Sequence, residues 1–272
     1  MRAHPSILTS LDSRKLAATY DEISDGQLEN GRQLISDLKV RCGETVLDIG
    51  AGTGRLAAHV AQLIGPSGRV VGIDPLPLRI EIARNKSIAN FEARVGQAED
   101  LSAFADSSFD VVYLNSVFHW VVDKPRALDE IMRVLKPGGR VGLNCQDPTQ
   151  PHESRMFFQR ALLEAGVQAD YAIVHPSLGL SMAALRDLLA AAGFISPAIE
   201  MRTFADVFRD ANAVIERSSS STFGNFLVGL SARDRAAFRE ALPRVLKSKT
   251  TGEGIRLHRY LLFAIARKPL KA

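Results

Sequence analysis

Three glycines at alternate positions, Gly50, Gly52 and Gly54, follow an apolar run that carries one acid, Asp48, in the stretch VLDIGAGTG at residues 46–54. Glycine removes Cβ and permits positive φ, so a ligand can lie against bare backbone there. The residues that follow, RLAAHVAQLIG, carry apolar side chains at helical spacing, so the loop opens a helix whose free amides face the ligand. A second acid, Asp74, closes the next apolar run in GIDP, 20 residues after Gly54. A carboxylate at that place can accept both hydroxyls of a ribose whose other end lies over the glycine loop. Nicotinamide dehydrogenases space their glycines G-x-G-x-x-G. Here the spacing is G-x-G-x-G with an acid just before it, which suits a cationic ligand with an amino acid tail better than a diphosphate.

The elements that must position these residues are legible as alternating runs. TVLDI, RVVGID, EARVG, FDVVYLN and RVGLNC have the density of buried strands, and helical patterns cover 55–64, 76–89 and 124–135. This βαβ rhythm predicts an α/β fold, a doubly wound and mostly parallel sheet with helices on both faces and ligands at the carboxyl ends of its strands. Residues 11–39 read as one or two helices with Tyr20 near their middle. After the fifth strand, 153–166 and 181–192 are helical and SPAIEMRTF resumes a strand. Residues 206–247 are helical in two pieces around SSSSTFGNF at 218–226, and IRLHRYLLFAIARK is a last strand. The expected organisation is an N-terminal helical lid (1–40), a core (41–150), a helical cap with the sixth strand (151–247) and a final strand (248–272), all within one structural domain.

Composition narrows the function classes. The chain has 272 residues, 46% of them hydrophobic and 24% charged, enough for a substantial core. Its excess of four basic residues is scattered, without a basic stripe interleaved with aromatics, so no nucleic-acid partner is expected. Cys42 and Cys145 lie far apart, which suggests neither a disulfide framework nor a metal site. The opening MRAHPSILTSLDSRK has too short an apolar stretch for a signal peptide, and no run approaches the ~18 apolar residues of a membrane span. The expectation is a cytoplasmic protein without a membrane partner, monomeric or homodimeric.

Residues 41–146 resemble the class I S-adenosylmethionine-dependent methyltransferases that act on small molecules, of the type 11/25 kind. VLDIGAGTGRL is similar to their first motif and VVGIDPLPLRIEIAR to their second. VGQAEDLSAFADSSFDVVYLNSVFHWVVDKPRALDEIMRVLKPGGRV resembles the remainder, including an LKPGG turn before the fifth strand. The resemblance implies a Rossmann-like sheet of seven strands, with lid helices before it and a helical cap inserted after its fifth strand. The implied cofactor is S-adenosyl-L-methionine and the product S-adenosyl-L-homocysteine. Asp48, Gly50, Ala51, Gly52 and Gly54 would flank the methionine part, and Asp74, followed by Pro75, would hold the ribose. Leu76 would pack on the adenine and Gln97 with the backbone of Ala98 would meet its edge. Many members carry Asp where Gln97 stands, and a Gln carbonyl can still accept from the exocyclic amine. Asn115 and Ser116, at the end of the fourth strand, complete the implied cofactor set.

The acceptor side is less distinctive. The triplet FHW in LNSVFHWVVD resembles that of carboxyl methyltransferases acting on small acids. His119 is either a base for a hydroxyl or thiol acceptor or a hydrogen-bonded structural residue beside the cofactor. Trp120 either roofs the methionine portion or fills core, and Tyr20 stands where such enzymes bring a lid across the cofactor. These three form the candidate catalytic set. His152 and His175 fall in the region where such folds usually build the acceptor pocket, each either a pocket residue or a surface or capping one, and Phe223 and Phe226, after the serine run, could face an apolar acceptor. Arsenite methyltransferases share the scaffold and use several thiols; Ser116 stands where one of these is expected. The expected function is methyl transfer to a small organic acceptor, O-methylation favoured, on a carboxylate or hydroxyl. N-, S- or C-methylation and a non-methylating cyclase on the same fold remain alternatives.

Overall fold

The structure is a computed structural model that describes residues 12–167, 178–219 and 226–270. Two compact units are present. One comprises Asp12–Asp147, Leu178–Met201 and the chain from Leu261; the other comprises the described parts of Pro148–Ser177 and Arg202–Tyr260.

The first unit opens with two helices, α1 (Arg14–Ile23) and α2 (Asp25–Leu38). Ser13 caps α1 by accepting from the Leu16 amide, which satisfies one of the free donors of the first turn. The strands and helices then alternate: β1 (Thr45–Ile49), α3 (Arg55–Ile64), β2 (Arg69–Asp74), α4 (Pro77–Asn85), β3 (Phe91–Val95), β4 (Phe109–Asn115), α5 (Lys124–Val134) and β5 (Leu135–Cys145). Asp123 caps α5 by accepting from the Arg126 amide, with Pro125 in the first turn where its missing N–H costs nothing. Beyond β5 come α6 (Glu153–Glu164), α7 (Met182–Ala191), β6 (Ile195–Phe208), α8 (Ala211–Ser219), α9 (Ala232–Val245), β7 (Thr250–Thr251) and β8 (Gly254–Arg267).

The sheet runs β3-β2-β1-β4-β5-β8-β6, with the short β7 paired to β8. β1 is parallel to both β2 and β4, β5 is parallel to β4, and β8 is antiparallel to β5. The chain turns back past β1 to place β4, so the order reverses between β1 and β4 and a crevice opens at their carboxyl ends. Buried residues of the strands (Leu47, Ile49, Val112, Leu114, Leu143) and of α5 (Leu128, Ile131) form one continuous core beneath that crevice. Truncating one of them, as in Leu47→Ala, should cost about 2–5 kcal/mol. Arg140, almost buried, donates from Nε to the Leu38 carbonyl at 2.9 Å and from Nη2 to Glu44 at 2.7 Å, fastening the end of α2 to β5.

The mostly parallel sheet has the seven strands expected, with β7 added, and three local corrections. β6 runs to Phe208, so the helix expected from 206 begins at Ala211. The expected helix over 76–89 stops at Asn85, because Ser87 takes a left-handed backbone (φ 51°) that a helix cannot continue through. LKPGG is not a turn ahead of the fifth strand. Leu135 already pairs with Phe109, the register shifts, and pairing resumes at Val111 with Arg140, so Gly138 (φ 76°) lies in an irregular stretch inside β5.

In the second unit Phe158 of α6 and Phe238 of α9 meet edge to face at 5.5 Å. His152 Nδ1 accepts from the Tyr260 amide at 3.2 Å, and Arg259 pairs with Asp206. Among the described residues no helix is long and apolar enough to cross a membrane, and no group of three or more His, Cys, Asp or Glu is placed to hold a metal ion.

Candidate functional site

The loop between β1 and α3 leaves the sheet with Gly50 and Ala51 donating to the Ile73 carbonyl at 2.7 and 2.9 Å. Gly50, Gly52 and Gly54 all have positive φ (78°, 54° and 79°). Two of them differ in what surrounds them. A Cβ on Gly50 would stand 2.1 Å from Cγ2 of Val117, so that glycine is demanded by the chain leaving β4. A Cβ on Gly52 would find its nearest neighbour at 3.5 Å, Cε1 of Tyr20, an ordinary contact. The protein therefore leaves space over Gly52 and none over Gly50.

Asp74 fastens this loop from below. Its Oδ2 accepts from the Gly52 amide at 2.9 Å and its Oδ1 from the Leu76 amide at 2.9 Å. Burial pushes its carboxyl above the usual range, against the pull of the Leu76 amide, the nearby Arg79 and the Gly52 amide. Leu76 is 1% exposed and immediately precedes α4. Tyr20 reaches the same place from α1, and the Arg79 guanidinium of α4 lies 4.0 Å from its ring centroid, a cation–π contact.

Parallel pairing sets Asp48 of β1 directly beside Tyr113 of β4, and neighbours in register project to the same face. The Tyr113 hydroxyl accordingly donates to Asp48 Oδ2 at 2.6 Å. Asp48 is 2% exposed, and burial raises its pKa to about 7, opposed by the Tyr113 hydrogen bond and reinforced by the negative charge of Asp74. Asp48, Gly50 and Ala51 open on a cleft of about 380 Å³, solvent at its mouth included. Tyr20 and Gln27 from the N-terminal helices, Arg55 from α3 and Asn115 from β4 wall it. Arg55 is held there by Ser24 Oγ at 3.1 Å and Asp25 at 2.6 Å.

These features fit a nucleoside with a cationic amino acid tail. A buried acid that has lost its solvation gains from a positive neighbour, the buried Oε1 of Gln27 makes no hydrogen bond within the protein, and the loop exposes backbone with room above Gly52.

Of the residues singled out in the sequence, Tyr20, Asp48, Gly50, Ala51 and Asn115 line this cleft, and Gly52, Asp74 and Leu76 are joined by hydrogen bonds next to it. Pro75 links the last two, and Ser116 directly follows Asn115. Gln97, Ala98, His119 and Trp120 are not in its wall. Gln97 pairs with Asp100 in an isolated antiparallel bridge and Ala98 is buried. His119 is 3% exposed, its ring 4.9 Å from that of Trp120, and its carbonyl accepts from the Leu178 amide at 2.8 Å. His175 and Phe223 lie outside the described residues. Sequence reasoning missed Tyr113, Arg79, Gln27 and Arg55. Only Arg55 had a local signal, as the first residue after the loop.

Residues 47–143 match the family described as "Methyltransferase domain". The chain is 37% identical over 153 residues to the ubiquinone/menaquinone biosynthesis C-methyltransferase of Hahella chejuensis, a match covering 52% of this chain and 61% of that protein. The chain thus spans about three-fifths of that relative's length. A trans-aconitate 2-methyltransferase of Deinococcus radiodurans is 25% identical over 87% of this chain and 91% of its own. The crystal structure of the YcgJ protein from Bacillus subtilis superposes with a TM-score of 0.59 at 20% identity, covering 89% of this chain and 98% of that one, and so shares the fold. Residues 47–143 thus match a methyltransferase domain, carried on the fold that the YcgJ protein shares.

Proposed function

We propose that this protein is an enzyme that transfers the methyl group of S-adenosylmethionine to a small organic acid, at a carboxylate oxygen. The observation that carries the cofactor half is the pair of buried carboxyls, Asp48 and Asp74, on either side of a glycine loop at the crevice where the strand order reverses. In this reading Asp48 and Gln27 face the positive amino acid tail, Asp74 offers its remaining lone pairs to the ribose, and Leu76 packs on the adenine, with Gln97 and Ala98 at its edge. The bound cofactor supplies an electrophilic methyl on a sulfonium.

The chain's own work is alignment and exclusion of water, since displacement at a methyl carbon needs the nucleophile in line behind it. A carboxylate is already a nucleophile at neutral pH, so no residue has to remove a proton. The choice of a carboxylate is supported by the relative matched along most of both lengths, whose name gives a small organic acid as its acceptor. The quinone relative is matched over a shorter stretch.

The test is turnover of methyl-labelled cofactor with panels of carboxylic acids, phenols, thiols and amines. A labelled product that releases methanol in base is an ester and supports the reading. A base-stable product with any acceptor moves the reaction to carbon, nitrogen, sulfur or an ether oxygen, and no product in any pool favours a non-methylating role.

A further inference from the structure

The side chain of Asn144, at the carboxyl end of β5, is fully buried (0% exposed). It stands in parallel register with Asn115 of β4, so the two carboxamides project to the same face and meet. Asn144 Nδ2 donates to Asn115 Oδ1 at 2.7 Å. Its Oδ1 accepts from the Ser116 amide at 2.6 Å and lies 3.3 Å from the Ser116 hydroxyl. Asn115 Nδ2 donates in turn to the main-chain carbonyl of Gln27 on α2 at 2.9 Å. One line of hydrogen bonds thus joins β5, the exit of β4 and the N-terminal helix.

Each end of this line touches the candidate site. Ser116 holds a left-handed backbone, φ 60°, which a residue with a side chain seldom keeps without compensation, and the Asn144 carboxamide is the acceptor that meets its amide. The turn so made brings Val117 onto the glycine loop, where its methyl fills the space a Gly50 side chain would need. At the other end α2 comes so near that a Cβ on Gly31 would lie 2.9 Å from Asn115 Nδ2, and Gln27 belongs to the cleft wall.

We propose that Asn144 is a positioning residue for the cofactor cleft. Through Ser116 it aims the exit of β4 so that Val117 seats the glycine loop, and through Asn115 it keeps α2 with Gln27 at the cleft wall. The inference rests on reading the cleft as the cofactor site.

The experiment compares the parent with Asn144→Ala, Ser116→Gly and the double variant, reading S-adenosylhomocysteine affinity by calorimetry and hydrogen exchange of the residue 116 amide. Asn144→Ala is expected to weaken binding by about tenfold or more, the scale of one buried hydrogen bond left unmade, and to release the Ser116 amide to exchange. Ser116→Gly in that background should recover the share of affinity lost through the exit of β4, because glycine takes positive φ without a Cβ penalty, and leave the share carried by Asn115 and α2 unrecovered. A merely structural asparagine would lower affinity through general loosening, which a glycine at 116 cannot mend. Unchanged binding in Asn144→Ala, or a loss of which Ser116→Gly recovers nothing, overturns the proposal. If Asn144→Ala does not fold, Asn144→Asp keeps the acceptor for Ser116, and loss of amide protection in that variant overturns it equally. A parent that binds no S-adenosylhomocysteine refutes the cofactor reading, while the exchange data still decide whether Asn144 holds Ser116.

Discussion

The Tyr113 hydroxyl donates to the Asp48 carboxylate across 2.6 Å, the tyrosine fully buried and the acid nearly so at the wall of the cleft. The bond favours the ionised acid, yet burial and the charge of Asp74 hold the Asp48 pKa at about 7. A cationic ligand requires the ionised form, so its binding should release a proton. Affinity for S-adenosylmethionine should therefore rise with pH up to about the Asp48 pKa and level off above it, falling by at most about tenfold per pH unit below. Tyr113→Phe removes the contribution that lowers the pKa, so the midpoint should move to higher pH. Calorimetry from about pH 5.5 to about pH 8.5 in both proteins measures this. A midpoint that does not move would show that Tyr113 does not govern the acid.

Asp74 has two duties that substitutions can separate. Its carboxylate accepts from the Gly52 and Leu76 amides, and in the proposed complex it also accepts from the ribose. Asp74→Ala should weaken cofactor binding by about 1.5–3 kcal/mol, the scale for losing charged hydrogen bonds. Asp74→Asn keeps one acceptor oxygen and should lose less. Adenosine, which has the ribose and no amino acid tail, should be weakened by a similar factor in Asp74→Ala. If adenosine binding is untouched while cofactor binding drops, the acid serves the loop alone.

The glycine loop offers a sharper contrast. Gly50→Ala puts a methyl 2.1 Å from a Val117 methyl carbon, so the variant should lose thermal stability whether or not ligand is present. Gly52→Ala meets only the edge of Tyr20, and its cost in the empty protein is the positive φ, about 1 kcal/mol. Its larger effect should appear on cofactor binding, since the methyl points into the space left over the loop. Melting curves with and without S-adenosylhomocysteine separate the two. Equal loss of stability in both empty variants would remove the distinction drawn between them.

The α/β rhythm and the loop were legible because both write their signals locally, in apolar runs and in glycines that follow a strand. Asp48 and Asp74 could be picked out for the same reason. Tyr113 could not, since in FDVVYLN it looks like any inward aromatic, and its partner becomes visible only when β4 is laid beside β1. Asn144 in RVGLNC was hidden likewise, because its meaning depends on the register with Asn115. Gln27 reaches the cleft across a contact of high sequence separation, for which helical spacing gives no sign. LKPGG misled in the opposite way: proline and glycines signal a turn, whereas pairing from Leu135 to Phe109 absorbs them as an irregularity of β5.

In the proposed function His119 is the residue whose substitution separates a carboxylate acceptor from a hydroxyl or thiol one. Its side chain is buried against Trp120, and its main chain is tied to Leu178, so it is held firmly in the segment that leaves β4. A hydroxyl or thiol acceptor has to lose a proton during transfer, and an imidazole in reach would supply about 10²–10⁴ in rate as its base. A carboxylate acceptor has no such proton. The proposed function therefore predicts that His119→Asn, which preserves hydrogen bonding and polarity, retains turnover to within about tenfold, and that the dependence of rate on pH keeps its shape. His119→Ala serves as the harsher variant, with its melting temperature measured alongside so that loss of packing is not read as loss of chemistry. A drop of about a hundredfold or more in both variants, with the neutral-pH inflection of the parent gone, would make His119 the base. The acceptor would then be a hydroxyl or a thiol, and the carboxylate reading would fall.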